Sequence, residues 1–156
     1  MASLKERLQA DLTAAMKNRD KTRVATIRMA LTGVTNEEVS GIESRELTDD
    51  EVLRVINREV RKRKEAAEAF SGAGRAEQAA AELREADVLA EYLPKQLTDG
   101  ELETLVGQAI ADVTKALGNP PGPRDMGQVM KAANAAVAGR ADGGRIAAIV
   151  KARLQG

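Results

Sequence analysis

Residues 48–60 read TDDEVLRVINREV, and this stretch decides how the rest of the chain is interpreted. Thr48 and Glu51 fit a capping box, in which the hydroxyl accepts from the amide three residues on and the glutamate reaches back to the threonine amide. The apolar residues that follow recur every three or four positions, which is typical of one face of an α-helix. They are Val52, Val55, Ile56 and Val60. The stretch therefore predicts both the start of an amphipathic helix and the face that it buries.

Two other places in the chain repeat this signature. Residues 3–6 (SLKE) and 98–101 (TDGE) also place a hydroxyl three residues before a glutamate, and apolar residues with helical spacing follow each of them. Three such starts predict helices that begin after Ser3, Thr48 and Thr98. β-branched and aromatic residues never cluster as a strand would require. The sequence therefore predicts an all-α fold.

The apolar pattern and the turn-forming residues predict seven helices in two parts. We expect an N-terminal helical domain of about four helices in residues 1–93 and a small three-helix C-terminal domain in residues 94–156. The junction lies at Pro94, which cannot continue a helix without losing a hydrogen bond. Six of the expected helices cover about residues 4–17, 48–70, 75–92, 98–117, 124–137 and 142–154, and the second helix places Val24, Ile27, Leu31 and Val34 on one face.

The cores of both parts must be aliphatic, because Phe70 and Tyr92 are the only aromatic residues. We expect Tyr92 to pack at the junction of the two parts with its hydroxyl at the surface. Inward-facing side chains are expected at helical spacing throughout. In the first helix they are Leu4, Leu8, Leu12 and Met16, and in the fourth they are Ala79, Leu83, Ala86 and Leu93.

The composition excludes several classes of site. The chain has no cysteine and no histidine, so disulfides, Cys/His zinc motifs and Ser-His-Asp systems are impossible. The N-terminus is charged and lacks the apolar segment of a signal peptide, and no apolar run is long enough to span a membrane. We expect a cytoplasmic protein with no membrane partner, no metal and no cofactor.

Two clusters of carboxylates are the candidates for metal binding or proton sharing. One consists of Glu37 and Glu38, and the other is the run Asp49–Glu51. Both lie at expected helix ends, where acidic residues are common for electrostatic reasons. We therefore expect neither catalysis nor metal binding from them.

Charge is balanced overall but unevenly distributed. The 24 basic and 24 acidic residues cancel, which argues against nucleic-acid binding by bulk charge. From Lys115 to the C-terminus, however, seven basic residues face two acidic ones. The basic run Arg61–Lys64 is expected to form a solvated, salt-bridged helix face, with nucleic-acid contact as the alternative, because glutamates stand four residues from its members. These pairs are Glu59–Arg63, Arg61–Glu65 and Lys64–Glu68.

The turn GRADG at residues 139–143 has two interpretations. In the structural one, Gly139 ends the sixth helix in a left-handed conformation and Asp142 caps the seventh. In the functional one, free amides at the start of the seventh helix bind a phosphate beside Arg140 and Arg145. Asp142 would compete with an anion for those amides, which favours the structural interpretation.

The chain resembles the stand-alone GatB/YqeY proteins. The resemblance rests on EYLPKQLT at residues 91–98, DMGQVM at 125–130 and the GRADG turn, and it extends to the opening MASLKERLQADLTAAMKNRD and to IRMAL at 27–31. It covers nearly the whole chain. Related sequences often carry lysines shortly before the GRADG turn, whereas this chain has Ala135, Ala136 and Ala138, so its local positive charge is lower.

The tail of this family resembles the C-terminal domain of the B subunit of the tRNA-dependent amidotransferase, an enzyme that amidates misacylated glutamyl- or aspartyl-tRNA. The resemblance implies a non-catalytic binding module that engages tRNA or a tRNA-bearing complex. The implied contacts are Lys131, Gly139, Arg140, Gly143 and Arg145.

Two alternatives remain open at this stage. One is a protein–protein adaptor without RNA contact, suggested by the zero net charge and the long amphipathic helices. The other is an accessory component of a glutamine-dependent amidotransferase, a carbon–nitrogen ligase with glutamine as amido donor. Catalysis by the chain alone is not expected, because side chains that exchange protons near neutral pH are missing.

Overall fold

The computed structural model describes residues 2–155, and the chain divides into two compact units, Met1–Leu93 and Pro94–Gly156. Within the described residues the chain forms α-helices, one short 3-10 helix and no strand, which confirms the all-α prediction. The helices are α1 (Leu4–Lys17), α2 (Lys21–Glu38), α3 (Asp49–Gly72), α4 (Ala76–Ala90), α5 (Asp99–Leu117), α6 (Met126–Val137) and α7 (Gly143–Gln155), and the 3-10 helix is Pro123–Asp125.

The capping boxes predicted at Thr48 and Thr98 are both complete. At α3 the Glu51 amide donates to the Thr48 hydroxyl at 3.2 Å, and the Thr48 amide donates to the Glu51 carboxylate at 3.1 Å. The box at α5 has the same two bonds at 3.2 and 3.1 Å. At α1, Ser3 accepts from the Glu6 amide at 3.1 Å, but the Glu6 carboxylate meets the Ser3 hydroxyl instead of its amide. Only half of that predicted box forms.

The first unit buries the predicted face of α3, because Val52, Val55, Ile56 and Val60 all lie in its core. Two predicted inward residues are wrong. Met16 on α1 is 51% exposed and Leu83 on α4 is 46% exposed, whereas Ala15, next to Met16, is buried and Ala86 and Leu89 supply the buried face of α4. The cause in α1 is the helical repeat of 3.6 residues: twelve residues after Leu4 the side chain has turned by about 120°, and eleven residues after it by only about 20°.

The basic run on α3 does not lie wholly in solvent, which corrects the prediction. Two of the expected pairs form, with Arg61–Glu65 at 3.8 Å and Arg63–Glu59 at 3.6 Å. The Arg63 side chain, however, is only 15% exposed and also meets two carboxylates of α4. These are Glu82 at 3.9 Å and Glu85 at 3.6 Å. Arg63 therefore holds α3 against α4, while Lys62 and Lys64 remain exposed.

Tyr92 packs into the core of the first unit. Its hydroxyl was predicted to lie at the surface, and that prediction is wrong. The hydroxyl donates to the Asp11 carboxylate, and the Arg7 guanidinium lies 4.7 Å from the ring centre. Burial is the main cause that raises the pKa of the Tyr92 phenol, and the bond to Asp11 adds to it. A buried tyrosine needs such a partner because an unpaired hydroxyl in the core is costly.

The second unit has its own aliphatic core, built from α5, α6 and α7. Its fully buried side chains include Leu102, Val106, Val129 and Val150. The left-handed residue that ends α6 is Ala138, at φ 50°, and not Gly139 as expected. Gly139 follows with φ 80°. The chain therefore leaves α6 through two consecutive left-handed residues, a conformation that glycine adopts easily and alanine rarely does.

Candidate functional site

The GRADG turn packs against the segment that precedes α5. The Leu97 amide donates to the Arg140 carbonyl at 2.7 Å, and the Gln96 side-chain amide donates to the Gly139 carbonyl at 3.2 Å. Residues 94–98 and 139–143 thus form one hydrogen-bonded substructure of the second unit. Gln96 and Gly139 are 43 positions apart in the sequence, so this contact depends on the tertiary fold.

The Arg140 side chain caps the C-terminal end of α6. Its Nε donates to the Val137 carbonyl at 3.0 Å, and its Nη2 donates to the Ala136 carbonyl at 3.2 Å. The last carbonyls of a helix have no partner within the helix, and a cation there also interacts favourably with the helix dipole. The half-buried guanidinium therefore stabilises the turn, and two of its five N–H donors are already used.

Asp142 caps the start of α7, as the structural interpretation of the turn predicts. Its Oδ2 accepts from the Gly144 amide at 3.0 Å, and its carbonyl accepts from the Arg145 amide at 3.1 Å. A carboxylate in this position competes with a phosphate for the amides at the helix start. A Cβ added at Gly143 would meet nothing within 4 Å, so close packing does not require glycine there.

Arg145 points towards the start of α5, where its Nη2 lies 2.6 Å from Asp99 Oδ1. Asp99 is 96% exposed and Arg145 is 38% exposed at the side chain. Exposed ion pairs of this kind contribute only about 0.2–1 kcal/mol. Arg145 can therefore exchange Asp99 for another anion at little cost.

Glu101 adds negative charge beside the turn. The bonds that it accepts from the Thr98 amide and hydroxyl lower its pKa, and the charges of Lys95 and Arg140 lower it further. Glu101 is consequently ionised at neutral pH. The anionic start of α5 offsets part of the positive charge that the arginines of the turn supply.

Lys131 differs from the arginines because it is exposed on α6 and forms no ion pair within the described residues. It lies six residues before Val137, the end of α6, or roughly 9 Å along the helix axis. Two further cations that follow α5 in the chain share this exposed, unpaired state among the described residues, and the sequence analysis did not single them out. They are Arg124 and Lys151.

The acidic residues that follow α5 are both bound to backbone amides. Asp125 Oδ2 accepts from the Gly122 amide at 2.8 Å, and Asp142 caps α7 as described. All other acidic residues of the second unit belong to α5, so the unit as a whole has eight basic and six acidic residues. The excess positive charge is therefore concentrated on the surface formed by the 3-10 helix, α6 and α7.

Within the described residues, no helix is long and apolar enough to cross a membrane. No group of three or more Asp or Glu side chains among the same residues is arranged to hold a metal ion. The two carboxylate clusters make other contacts. Glu38 pairs with Lys5 at 2.9 Å, Glu37 pairs with Arg58 at 3.2 Å, and Asp49 accepts from the Leu4 amide at 2.9 Å.

The sequence matches a family model over almost its whole length. The model is described as Yqey-like protein, and the match covers residues 5–154. It therefore includes both units, the YLPKQL segment and the GRADG turn. No curated protein matches the chain.

Proposed function

The chain belongs to the YqeY-like family, and we propose that it is a non-catalytic, tRNA-related binding module that engages RNA through its second unit. The resemblance of its tail to the amidotransferase B subunit supports the choice of tRNA. The geometry of the second unit supports an anionic ligand. Neither argument requires a reaction to take place on this chain.

One observation carries the proposal: the exposed charge of the 3-10 helix, α6 and α7 is predominantly basic. Arg124, Lys131 and Lys151 are exposed without ion pairs among the described residues, whereas Asp125 and Asp142 each accept a backbone amide. Exposed cations without partners bind phosphates by releasing condensed counterions, which needs no deep pocket. This surface has the chemistry that a nucleic-acid backbone requires.

The five residues implied by the resemblance divide into two roles under this proposal. Lys131 contacts phosphate directly. Gly139 and Arg140 give the turn its shape, because Arg140 is bonded to α6 and Gly139 has a positive φ, whereas a Cβ at Gly143 would meet nothing within 4 Å, so that glycine has neither role. Arg145 is intermediate, because it can leave Asp99 for a phosphate.

A filter-binding titration against total tRNA at several salt concentrations tests the proposal. The triple variant Arg124→Ala, Lys131→Ala and Lys151→Ala is expected to bind more weakly, and the slope of log affinity against log salt should decrease by roughly 2–3. A matched triple variant removes three exposed cations of the first unit instead: Lys21→Ala, Lys64→Ala and Arg84→Ala. It should bind like the wild type.

Three results would count against this function. They are no saturable binding at low salt, equal binding to an unrelated RNA of the same length, and equal loss in both triple variants. The first of these would favour the adaptor without RNA contact. Formation of the amide from glutamine and misacylated tRNA by the chain alone would contradict the non-catalytic assignment.

A further inference from the structure

The connection between α2 and α3 exposes two large aliphatic side chains close together. Residues 39–47 form this connection, which we call the α2–α3 loop. Val39 is 58% exposed and Ile42 is 107% exposed, as much as in an extended peptide. Single exposed aliphatic residues are ordinary, but a group of them on one short loop is typical of an interaction surface.

The loop is held in place at both of its ends. The Glu38 carbonyl accepts from the Arg45 amide at 3.0 Å, and the Glu38 carboxylate accepts from the Leu47 amide at 3.4 Å. Lys5 fixes that carboxylate through bonds of 2.9 and 3.0 Å to its two oxygens. Ile42 is therefore displayed on an anchored loop, and a partner would lose little ordering entropy on binding it.

The exposed charge around these aliphatic residues is negative. Glu43, Glu46 and Asp50 are exposed and form no ion pair within the part of the chain that the structure describes. Arg45 is the only basic residue of the loop, and its Nη2 lies 2.6 Å from the Glu51 carboxylate. These three carboxylates outnumber Arg54, the exposed cation at the start of α3 that forms no ion pair among the described residues, so the surface repels phosphate and attracts basic groups.

A hollow of ≈ 220 Å³ adjoins the loop at the start of α3. Its apolar part comes from Leu47 and Val55, and its polar part from two glutamates and two arginines. Arg58 is paired with Glu37 at 3.2 Å. The residues that line the hollow are Glu37, Leu47, Glu51, Arg54, Val55 and Arg58.

We propose that the α2–α3 loop and this hollow form a docking surface for a protein segment that carries both basic and aliphatic side chains. The aliphatic side chains of the partner cover Val39 and Ile42 and enter the hollow. Its basic side chains meet Glu43, Glu46 and Asp50. Charge complementarity selects this occupant, because the carboxylates would oppose an acidic segment or an RNA. The surface is independent of the RNA-binding function proposed for the second unit.

Two synthetic helical peptides with the same leucine pattern test the proposal on the full-length protein. One carries lysine at its polar positions and the other carries glutamate. Fluorescence anisotropy should show that the lysine peptide binds at least roughly tenfold more tightly. In amide NMR spectra its addition should shift the signals of residues 39–47. Equal affinities, or shifts located elsewhere, would overturn the proposal.

Substitutions separate the two features of the surface. Ile42→Ser should lower the affinity for the lysine peptide by roughly tenfold. The double variant Glu43→Lys and Glu46→Lys should bind the lysine peptide no more tightly than the glutamate peptide. These positions are exposed, so the fold should tolerate the changes, and thermal unfolding checks this.

A matched set on α4 controls for non-specific attraction. Leu83→Ser, Glu77→Lys and Asp87→Lys change the same kinds of exposed side chain outside the loop, and they should leave peptide binding unchanged. An equal loss from this set would show that any acidic surface suffices. Sedimentation adds a further check: a dimer that Ile42→Ser converts to a monomer would show that a second copy covers the loop, which would also overturn the proposal.

Discussion

At Arg140, charge and geometry can be separated by one substitution. The guanidinium bonds two carbonyls at the end of α6, and lysine keeps the charge but not the planar pair of donors. Arg140→Lys should therefore lower the free energy of unfolding by about 1 kcal/mol, while the affinity for tRNA at fixed salt changes by less than roughly twofold. Urea denaturation and filter binding measure the two effects. A variant that keeps full stability but loses tRNA binding would show that Arg140 contacts phosphate.

Arg63 allows a stronger prediction because it pairs with three carboxylates, of which only Glu59 has a second cation, Lys62 at 3.4 Å, among the described residues. Glu59, Glu82 and Glu85 lie within 3.9 Å of its guanidinium. All three carboxylates are mostly buried, and removing the cation takes away a charge partner from each of them. Arg63→Ala should destabilise the protein by about 3 kcal/mol. Lys64→Ala, one residue away and exposed, should change the stability by less than about 0.5 kcal/mol. Similar effects of the two substitutions in urea denaturation would contradict the role assigned to Arg63.

At the scale of elements, the start of α3 should contribute a pH-dependent stability. The bond from Arg45 and then the Thr48 amide lower the pKa of Glu51 from 4.5 to about 2. Because the folded pKa lies below the unfolded one, the stabilisation is complete above about pH 4.5 and is lost as the pH falls towards 2. Glu51→Gln should cost about 1 kcal/mol at neutral pH after solvent screening, and its difference from the wild type should vanish in acid.

Urea denaturation of both proteins at a series of pH values checks this prediction. Glu101→Gln is the matched control, since Glu101 occupies the same position of the capping box on α5. The hydrogen bonds from Thr98 are the main cause that lowers the pKa of Glu101. No arginine side chain bonds to Glu101 among the described residues. Its effect should be smaller than that of Glu51→Gln. A difference between wild type and Glu51→Gln that stays constant with pH would contradict the assignment.

Helix starts and helix faces were predictable because they depend on residues close together in sequence. Thr48 and Thr98 cap their helices through bonds that span three residues, and Val52 to Val60 repeat at helical spacing. Arg63 was misjudged for the opposite reason. The α4 carboxylates that pair with Arg63 lie 19 and 22 residues further along the chain. Only the packing of α4 against α3 brings them close to Arg63.

The candidate site was predictable as a turn but not in its charge. Asp142 was expected to cap α7, because a cap depends on local spacing. The pairing of Arg145 with Asp99 spans 46 residues, so the count of basic residues after Lys115 overstated the free positive charge. The exposure of Ile42 was equally invisible in the sequence, since an isoleucine in a loop can also be buried against a neighbouring helix.

For the whole molecule, a zero net charge conceals two surfaces of opposite sign. The acidic α2–α3 loop belongs to the first unit, and the basic surface of α6 and α7 belongs to the second. Each ligand should therefore respond to substitutions in its own unit. The triple variant of the second unit should leave the lysine peptide's affinity unchanged, and Glu43→Lys with Glu46→Lys should not weaken tRNA binding. Reciprocal losses in the two titrations would show that the surfaces are not separate.

Because the chain has no histidine and no cysteine, we expect its affinity for tRNA to depend little on pH near neutrality. Histidine is the side chain that ordinarily titrates between about pH 5 and 8, and Glu85, whose pKa is raised by burial, belongs to the first unit. The affinity for tRNA should therefore change by less than roughly twofold between about pH 6 and about pH 8.5 at constant ionic strength. Filter binding across this range, with salt held fixed, measures it. A larger change would require a titrating group at the interface, which the basic surface of α6 and α7 does not supply, and would place the RNA elsewhere on the protein.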